Sequence, residues 1–379
     1  LTSVNCSATA ARMIAEHFSN DKIKAYPNID NVTAFVHGTG CGMADNGEGF
    51  EALQRVLWGY AKNPNVAGVL MVGLGCEINQ IDWLLEAYQI KKGPYFQVLN
   101  IQNLCGLRKT VEKGIEKIND MLPFVNNINR RLCPVSDLMV GLQCGGSDAW
   151  SGITANPALG YACDLLVSKG GTGVLAETPE IYGAEHLLIK RSANQNISKK
   201  LIERIEWWET YTSRNLGTMD NNPSPGNKIG GLTTILEKSL GAISKAGTSR
   251  LNGVYAYGEI IKEKGFIFMD SPGYDPASVT GQIASGCNII AFTTGRGSAF
   301  GSKPSPSIKI ASNSKLFEKM SEDMDINAGV IISENYSIKE VGQTIYNLLL
   351  NVASGEKTKS EIQGLGDYEF VPWQIGAVM

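Results

Sequence analysis

The sequence predicts an α/β protein of two Rossmann-like domains with parallel sheets and an active site between them. Three observations lead there. Short apolar runs end repeatedly in glycine and cysteine, amphipathic stretches separate them, and 42 glycines lie well above the usual share of roughly 7%. Strand, glycine loop, helix, strand is the rhythm of a parallel sheet, whose ligands gather at the carboxyl ends of its strands.

The elements follow in order. The opening LTSVNC reads as the end of a first strand at Cys6. Asn31 to Cys41 (NVTAFVHGTGC), Asn65 to Cys76 (NVAGVLMVGLGC) and Asp137 to Cys144 (DLMVGLQC) each read as a strand closing on a cysteine. Gly49 to Ala61 puts Phe50, Leu53, Val56, Leu57 and Tyr60 on one helical face. Leu107 to Leu122 does the same with Val111, Ile115, Ile118 and Leu122. Further on, Cys163 to Ala176, Phe266 to Met269 and Cys287 to Thr294 read as strands of a second domain. The predicted division is 1–135 and 136–379, and the NNPSPGNK stretch crosses the surface of the second domain with fixed turns.

Composition excludes several classes. With 34 Lys plus Arg against 37 Asp plus Glu, a net charge of -3 offers nothing to nucleic acid. No apolar run approaches the roughly 18–20 residues of a membrane span, and the sequence shows no secretory leader, which predicts a cytoplasmic protein. Eight cysteines without a CxxC pair read as reduced thiols, and three histidines exclude a His-rich metal site. The glycine loops Gly38 to Met43 and Gly73 to Glu77 lack the third glycine of a dinucleotide fingerprint. They suit a small anion better.

Four cysteines, Cys6, Cys41, Cys76 and Cys144, share the strand-end position. Each alone reads as a small buried hydrophobe; together they could hold an iron ion or an iron–sulfur cluster. His37 stands where a base is wanted, or is a histidine satisfied by backbone. Glu177 and Glu180 flank Pro179 after a predicted strand and are candidates for metal ligand or general base. Cys144-Gly145-Gly146-Ser147-Asp148 with Ser151, Thr154 and Asn156 is the densest polar cluster, fit either to cap a helix or to bind a polyhydroxylated acid. Lys228, Lys238, Lys245 and Arg296 supply cations near glycine loops for a substrate carboxylate.

These motifs carry a resemblance. GTGCGM, NPNVAGVLMVGLGCE, LQCGGSDAWSGITANPALG, GGTGVLAETPEIYGAEHLL, NPSPGNKIGG, LEKSLGAISKAG and FTTGRGSAFG followed by IKIASNS look like the altronate and galactarate dehydratase family of sugar-acid hydro-lyases. The resemblance covers nearly the whole chain. It implies removal of water from a hexonate or hexarate, most readily D-altronate, to give a 2-keto-3-deoxy acid. It also implies dependence on Fe2+, an iron–sulfur cluster or another divalent metal such as Mn2+; a sister branch is similar to sulfolactate sulfo-lyase large subunits. A non-catalytic sugar-acid binding module is the alternative outside the enzymes. Family members often carry a small β-rich N-terminal domain or subunit. Here the chain starts at Leu1, so a missing segment or partner is expected, along with a homodimer.

The resemblance carries over Cys41, Cys76 with Glu77, Cys144 with Ser147 and Asp148, Asn156, Glu177, Glu180, Glu185 with His186, Lys228, Lys245 and Arg296, without assigning roles. Eliminating a β-hydroxyl needs a base, charge stabilisation for the aci-carboxylate and help for the leaving hydroxide. The roles expected are therefore Cys41, Cys76 and Cys144 as metal ligands; His37, Glu177, Glu180, Lys228 and Lys245 as catalytic groups; and Ser147, Asp148, Asn156, His186 and Arg296 as substrate-binding groups.

Overall fold

The computed structural model describes residues 1–18, 22–376 and 378. They form two units, Leu1–Leu132 with Phe370–Met379, and Cys133–Glu369. The chain therefore divides three residues earlier than the predicted 135/136. Its end belongs to the first unit, because Phe370 packs on Tyr60 and Phe35 with ring centroids 4.6 and 5.5 Å apart.

In the first unit β1 (Val69–Gly73) pairs in parallel with β2 (Phe96–Asn100). Leu1 to Ser3 runs along the other side of β1: Val72 N–H donates to Leu1 O, and Ser3 N–H donates to Val72 O. The helices Glu48–Lys62 and Leu107–Val125 appear where the periodicity puts them, each slightly longer. Their apolar faces bury Leu53, Val56 and Leu57, and Val111, Ile118 and Leu122. Two expected strands are not regular. Asn31 to Cys41 is held to Thr2 by the backbone bond from Thr2 N–H to Phe35 O and forms no ladder. Cys6 lies in the 3-10 turn Asn5–Ser7, because the chain has already left the sheet by Val4.

The second unit is a seven-stranded, all-parallel sheet. Its strands are β3 (Met139–Cys144), β4 (Thr172–Leu175), β5 (Leu251–Tyr255), β6 (Gly265–Met269), β7 (Ile289–Thr294), β8 (Ser307–Ala311) and β9 (Ile326–Asn327). The spatial order is β5-β6-β4-β3-β7-β8-β9. From β3 the chain goes to β4 and on to the edge strand β5, steps back to β6 between them, and then crosses to β7, β8 and β9 on the other side, which makes the carboxyl ends of β3 and β7 a topological switch point. Strands buried on both faces read as continuous apolar runs, as FIFM and IIAFTT do.

The predicted strand Cys163 to Ala176 is divided. Cys163 belongs to the helix Ala155–Ser168, and only Thr172–Leu175 is strand. Ala158, Leu159, Ala162, Cys163 and Leu166 continue the buried helical face begun at Ala155. Gly170, at φ 84°, then ends the helix with a left-handed turn that L side chains resist.

Candidate functional site

The carboxyl end of β3 delivers Cys144 to the switch point, and the loops after β3 and β7 are stitched together there. Gly145 N–H donates to Thr293 O, and the Gly295 and Arg296 N–H groups both donate to Gly146 O. The end of β4 leads into the 3-10 turn Thr178–Glu180, which brings Glu177 and Glu180 beside Cys144. One donor atom from each of these three side chains lies within 4.8 Å of the others. Two cations complete the group. Lys238 rides on the helix Ile235–Ile243, and Lys245 on the turn Ser244–Ala246. That turn sits directly on the helix Ala155–Ser168, because a Cβ on Gly160 would lie 2.1 Å from the Ser244 carbonyl oxygen.

The contacts form a chain of charges. Lys245 Nζ donates to Cys144 Sγ at 2.8 Å, and the thiol donates to Glu180 Oε2 at 3.3 Å. Glu180 Oε1 receives Lys238 Nζ at 2.6 Å, and that ammonium also donates to Asn222 Oδ1 at 2.9 Å. Lys245 is 1% exposed and Glu180 4%, so water screens little of this.

Protonation follows from the surroundings. Burial, with Glu180 beside it, pushes the Cys144 thiol up to about 12. Burial works against charge on Glu180, but Lys238 and Lys245 more than offset it and lower its pKa. The same opposition operates on Lys245, where burial loses to Cys144, Glu180 and Glu177 and the pKa rises. Glu177 differs. Burial, then the charges of Glu180 and Asp275, raise it well above the usual carboxylate range. Both its carboxylate oxygens are buried without a hydrogen-bond partner, and its backbone is left-handed at φ 71°, ψ 76°. A non-glycine residue held there costs about 1–2 kcal/mol. Unsatisfied and strained, Glu177 is a group that calls for a ligand.

Asp275 joins this group from the start of the helix Asp275–Ser285. Its carboxylate lies against Gly145, where a Cβ would come within 2.2 Å of Oδ2. Burial and Glu180 raise it to about 7. Nothing in the sequence reading singled out Asp275, although a carboxylate six residues beyond the apolar run FIFM stands at the rim of a parallel sheet. Lys238 is among the cations that the sequence offers for a substrate carboxylate but not among the expected catalytic groups; the helical spacing of LEKSLGAI does not say that it turns toward Glu180.

The expected sites divide between the units. His37 is buried in the first unit, 6% exposed, and both ring nitrogens serve the backbone: Nε2 bonds Thr2 O at 2.9 Å, and Nδ1 accepts Thr39 N–H at 3.3 Å. Burial lowers its pKa to about 4, so it is a neutral packing histidine and not a poised base. Cys41 and Cys76 are exposed in the first unit, and Cys144 is buried in the second among carboxylates and ammonium groups. Neither unit by itself assembles the three thiols.

The trio Cys144, Glu177 and Glu180 does not fit a divalent cation as it stands. Ammonium groups already occupy Cys144 Sγ and Glu180 Oε1. The ammonium groups of Lys238 and Lys245 face Glu180 and lower its pKa, while burial raises those of Glu177, Cys144 and Asp275. The cluster is arranged for an anion.

Beside it lies a cavity of about 270 Å3, lined by Cys144, Ser147, Asp148, Asn156, Lys238 and Leu240 among others. It is small against the roughly 300–1,000 Å3 of common ligand pockets and suits a small acid. Asp148 and Asn156 spend their polar atoms on the scaffold. Asp148 Oδ1 accepts Ser151 N–H, Ser151 Oγ and Ser312 Oγ, and Oδ2 accepts Asn313 Nδ2; Asn156 joins Gly241 O to Thr293 Oγ1. Ser147 lines the cavity, and its carbonyl receives Asn227 Nδ2. Lys228, His186 and Arg296 are exposed and do not line it.

Comparison with known proteins places both units. Residues 135–378 match the model described as D-galactarate/Altronate dehydratase, C-terminal, and residues 1–126 match D-galactarate dehydratase/Altronate hydrolase, second domain. The chain is 36% identical to an altronate dehydratase of Bacillus subtilis (strain 168) over 94% of its own length and 71% of that protein's. It is 41% identical to a galactarate dehydratase (L-threo-forming) of Escherichia coli (strain K12), over 82% of this chain and 61% of that one. A (2R)-sulfolactate sulfo-lyase subunit beta of Chromohalobacter salexigens is 33% identical over 84% of this chain and 81% of the relative. The chain thus spans under two thirds of the galactarate dehydratase's length.

Proposed function

Because the chain belongs to the D-galactarate/altronate dehydratase family, and is in that sense an altronate dehydratase-like lyase, we propose that it removes water from a sugar acid, the monocarboxylic D-altronate before the dicarboxylic galactarate, to give a 2-keto-3-deoxy acid. The observation that carries the reading is the buried ammonium pair Lys238 and Lys245 beside the orphaned carboxyl of Glu177.

The substrate carboxylate draws on Lys238 and Lys245, which hold the charge that builds up as the aci-carboxylate forms. Competition for Lys238 frees Glu180 from its ion pair, and Glu180 takes the proton from C2. The C2–H electrons form the C2=C3 bond as the C3–O bond breaks. Glu177 gives its proton to the departing hydroxide, which leaves as water. The enol tautomerises to the keto acid, and the proton gained by Glu180 makes good the one lost by Glu177.

Two features favour an aldonate over an aldarate. The acidic groups lining the cavity are Asp148 and Glu237, and the apolar walls are Ile153, Leu232 and Leu240. A second carboxylate finds no cation among these residues besides Lys238.

Dependence on Fe2+ or another divalent metal is part of the proposal, on the strength of the family resemblance, and no step above passes through it. So are a cytoplasmic location, a homodimer and a small β-rich domain or subunit. Among the described residues no helix is long and apolar enough to cross a membrane.

The test is a panel of D-altronate, galactarate and sulfolactate offered to the full-length protein in iron-supplemented anaerobic buffer. The expected result is keto acid from altronate at the highest kcat/KM. Preference for galactarate would overturn the aldonate assignment. Sulfite release from sulfolactate without keto acid from either sugar acid would overturn the dehydratase reading.

A further inference from the structure

The left-handed backbone of Glu177 does not hold itself. Its restraint comes from the two residues that follow β6. Ser271 Oγ accepts the Glu177 N–H at 3.0 Å, and the Ser271 carbonyl accepts the Thr178 N–H at 3.1 Å. Asp270 Oδ1 accepts the Thr178 hydroxyl at 2.5 Å. Three bonds from one dipeptide therefore converge on the two residues at which the chain turns.

The dipeptide is itself anchored. Asp270 is 1% exposed; Trp208 Nε1 donates to its Oδ1 at 2.8 Å, and Arg204 lies 3.6 Å from Oδ2. The Ser271 hydroxyl donates to Ser278 Oγ at 2.9 Å, which ties it to the helix that begins at Asp275. Neither Asp270 nor Ser271 lines the cavity.

Glu177 and Glu180 are joined through the clamped residue. Glu180 N–H donates to Glu177 O at 2.8 Å across the turn Thr178–Glu180. Fixing Thr178 therefore fixes both carboxyl groups, one left without partners and one paired to Lys238. A relaxed backbone at Glu177 would let its carboxyl turn toward other donors.

We propose that Asp270, through Thr178, and Ser271, through the N–H groups of Glu177 and Thr178, are positioning residues that hold Glu177 in its left-handed backbone and keep its carboxyl facing Cys144 and Glu180 for the elimination. The proposal rests on the dehydratase reading of the site. Catalysis is sensitive to such placement, because a misplacement of about 1 Å can cost about a hundredfold in rate.

The test uses Thr178→Val, which keeps the shape and loses the hydroxyl, with Thr178→Ser as its conservative partner and Asp270→Asn as a second probe, all in the full-length protein. Thr178→Val and Asp270→Asn are expected to lose about 30-fold in kcat with KM changed by less than about threefold, while Thr178→Ser stays within about threefold of wild type. A crystal structure of Thr178→Val is expected to show Glu177 out of the left-handed region. Wild-type kcat in Thr178→Val, a loss confined to KM, a Thr178→Ser variant as damaged as Thr178→Val, or an unmoved Glu177 would each overturn the proposal. If Asp270→Asn does not fold, the Thr178 pair decides. If the wild-type protein dehydrates no sugar acid, the dehydratase reading falls and the Glu177 backbone in the Thr178→Val crystal decides the positioning claim.

Discussion

At the end of β1 the chain runs Gly73-Leu74-Gly75-Cys76-Glu77; at the end of β3 it runs Cys144-Gly145-Gly146-Ser147-Asp148. In the first unit the Glu77 carboxylate is buried and fully met, by Ser3 Oγ at 2.5 Å and the N–H groups of Leu74 and Gly75 at 3.2 and 2.6 Å. In the second, Glu177 is buried and met by nothing, and Glu180 is met by an ammonium and a thiol. Both rims are glycine-rich, cysteine-bearing and acidic. One uses its carboxylate to fasten a loop, and the other leaves a carboxyl strained and unsatisfied beside two buried cations. The difference teaches that a strand-end motif marks where a site can be; whether the polar atoms are already spent decides if there is one.

Lys245→Met removes one cation of the second unit, and kcat/KM on altronate is expected to fall about a thousandfold. The loss of a buried partner should also destabilise that unit by about 3–5 kcal/mol, read by denaturant titration. Glu77→Gln in the first unit is the counterpart. It should cost about 1–3 kcal/mol of stability through lost hydrogen bonds while the folded fraction keeps kcat within about threefold of wild type. A tenfold loss of kcat in Glu77→Gln, or full activity in Lys245→Met, would erase the distinction.

His37, buried in the first unit, makes stability depend on pH. Its folded pKa of about 4 lies below the ordinary value of 6.5 because burial disfavours the imidazolium. Above pH 6.5 both folded and unfolded states hold it neutral. Between 6.5 and 4 the unfolded chain binds a proton that the folded one refuses, so stability falls as pH falls through that window and levels off below 4. The shift corresponds to about 3 kcal/mol at most. His37→Gln should flatten that part of the stability curve with kcat little changed. A large loss of kcat in a folded His37→Gln variant would restore it as a base.

How much of this was legible depended on which physical signal each feature leaves. The α/β class, the helices Glu48–Lys62 and Leu107–Val125, and the strands of FIFM and CNIIAFTT follow from periodicity and apolar runs, which are local. The strand Phe96–Asn100 was missed because FQVLN is half polar and lies between turns. Asn31 to Cys41 has strand composition but lacks a neighbour to complete a ladder, and neighbours are not local. At the site, Glu177, Glu180, Lys245 and Cys144 were named from motifs, yet their grouping depends on β4 lying beside β3 and on a turn 101 residues away from Cys144. Asp148 and Asn156 looked like substrate readers because polar clusters at glycines look alike before their partners are known.

The thiols give a further way to separate the rims. If the second unit's cluster is an anion site, Cys144→Ser should retain the iron content of the wild-type full-length protein while losing the thiol between Lys245 and Glu180. Loss of iron from both Cys144→Ser and Glu177→Gln would show that the cluster holds the metal after all. Cys76, exposed and touched by Gln102 Nε2 at 3.3 Å, is the matching substitution in the first unit.

The smallest effect concerns the cations that stay outside. Arg296 anchors its loop through its backbone N–H to Gly146 O, and its side chain is exposed with Cδ near Gly230. Lys228 is exposed on the short helix Pro225–Ile229, whose buried member is Asn227, bonded to Ser147 O. An exposed charge is screened by solvent, so Arg296→Ala and Lys228→Ala are each expected to keep kcat/KM on altronate within about threefold. The substrate gives this prediction its edge. Galactarate brings a second carboxylate, and if either cation reaches it, the variant should lose activity on galactarate while keeping that on altronate. Such a split would place the second carboxylate at the cation concerned and count against the aldonate preference; equal small losses on both acids would leave the buried pair as the charge that selects the substrate.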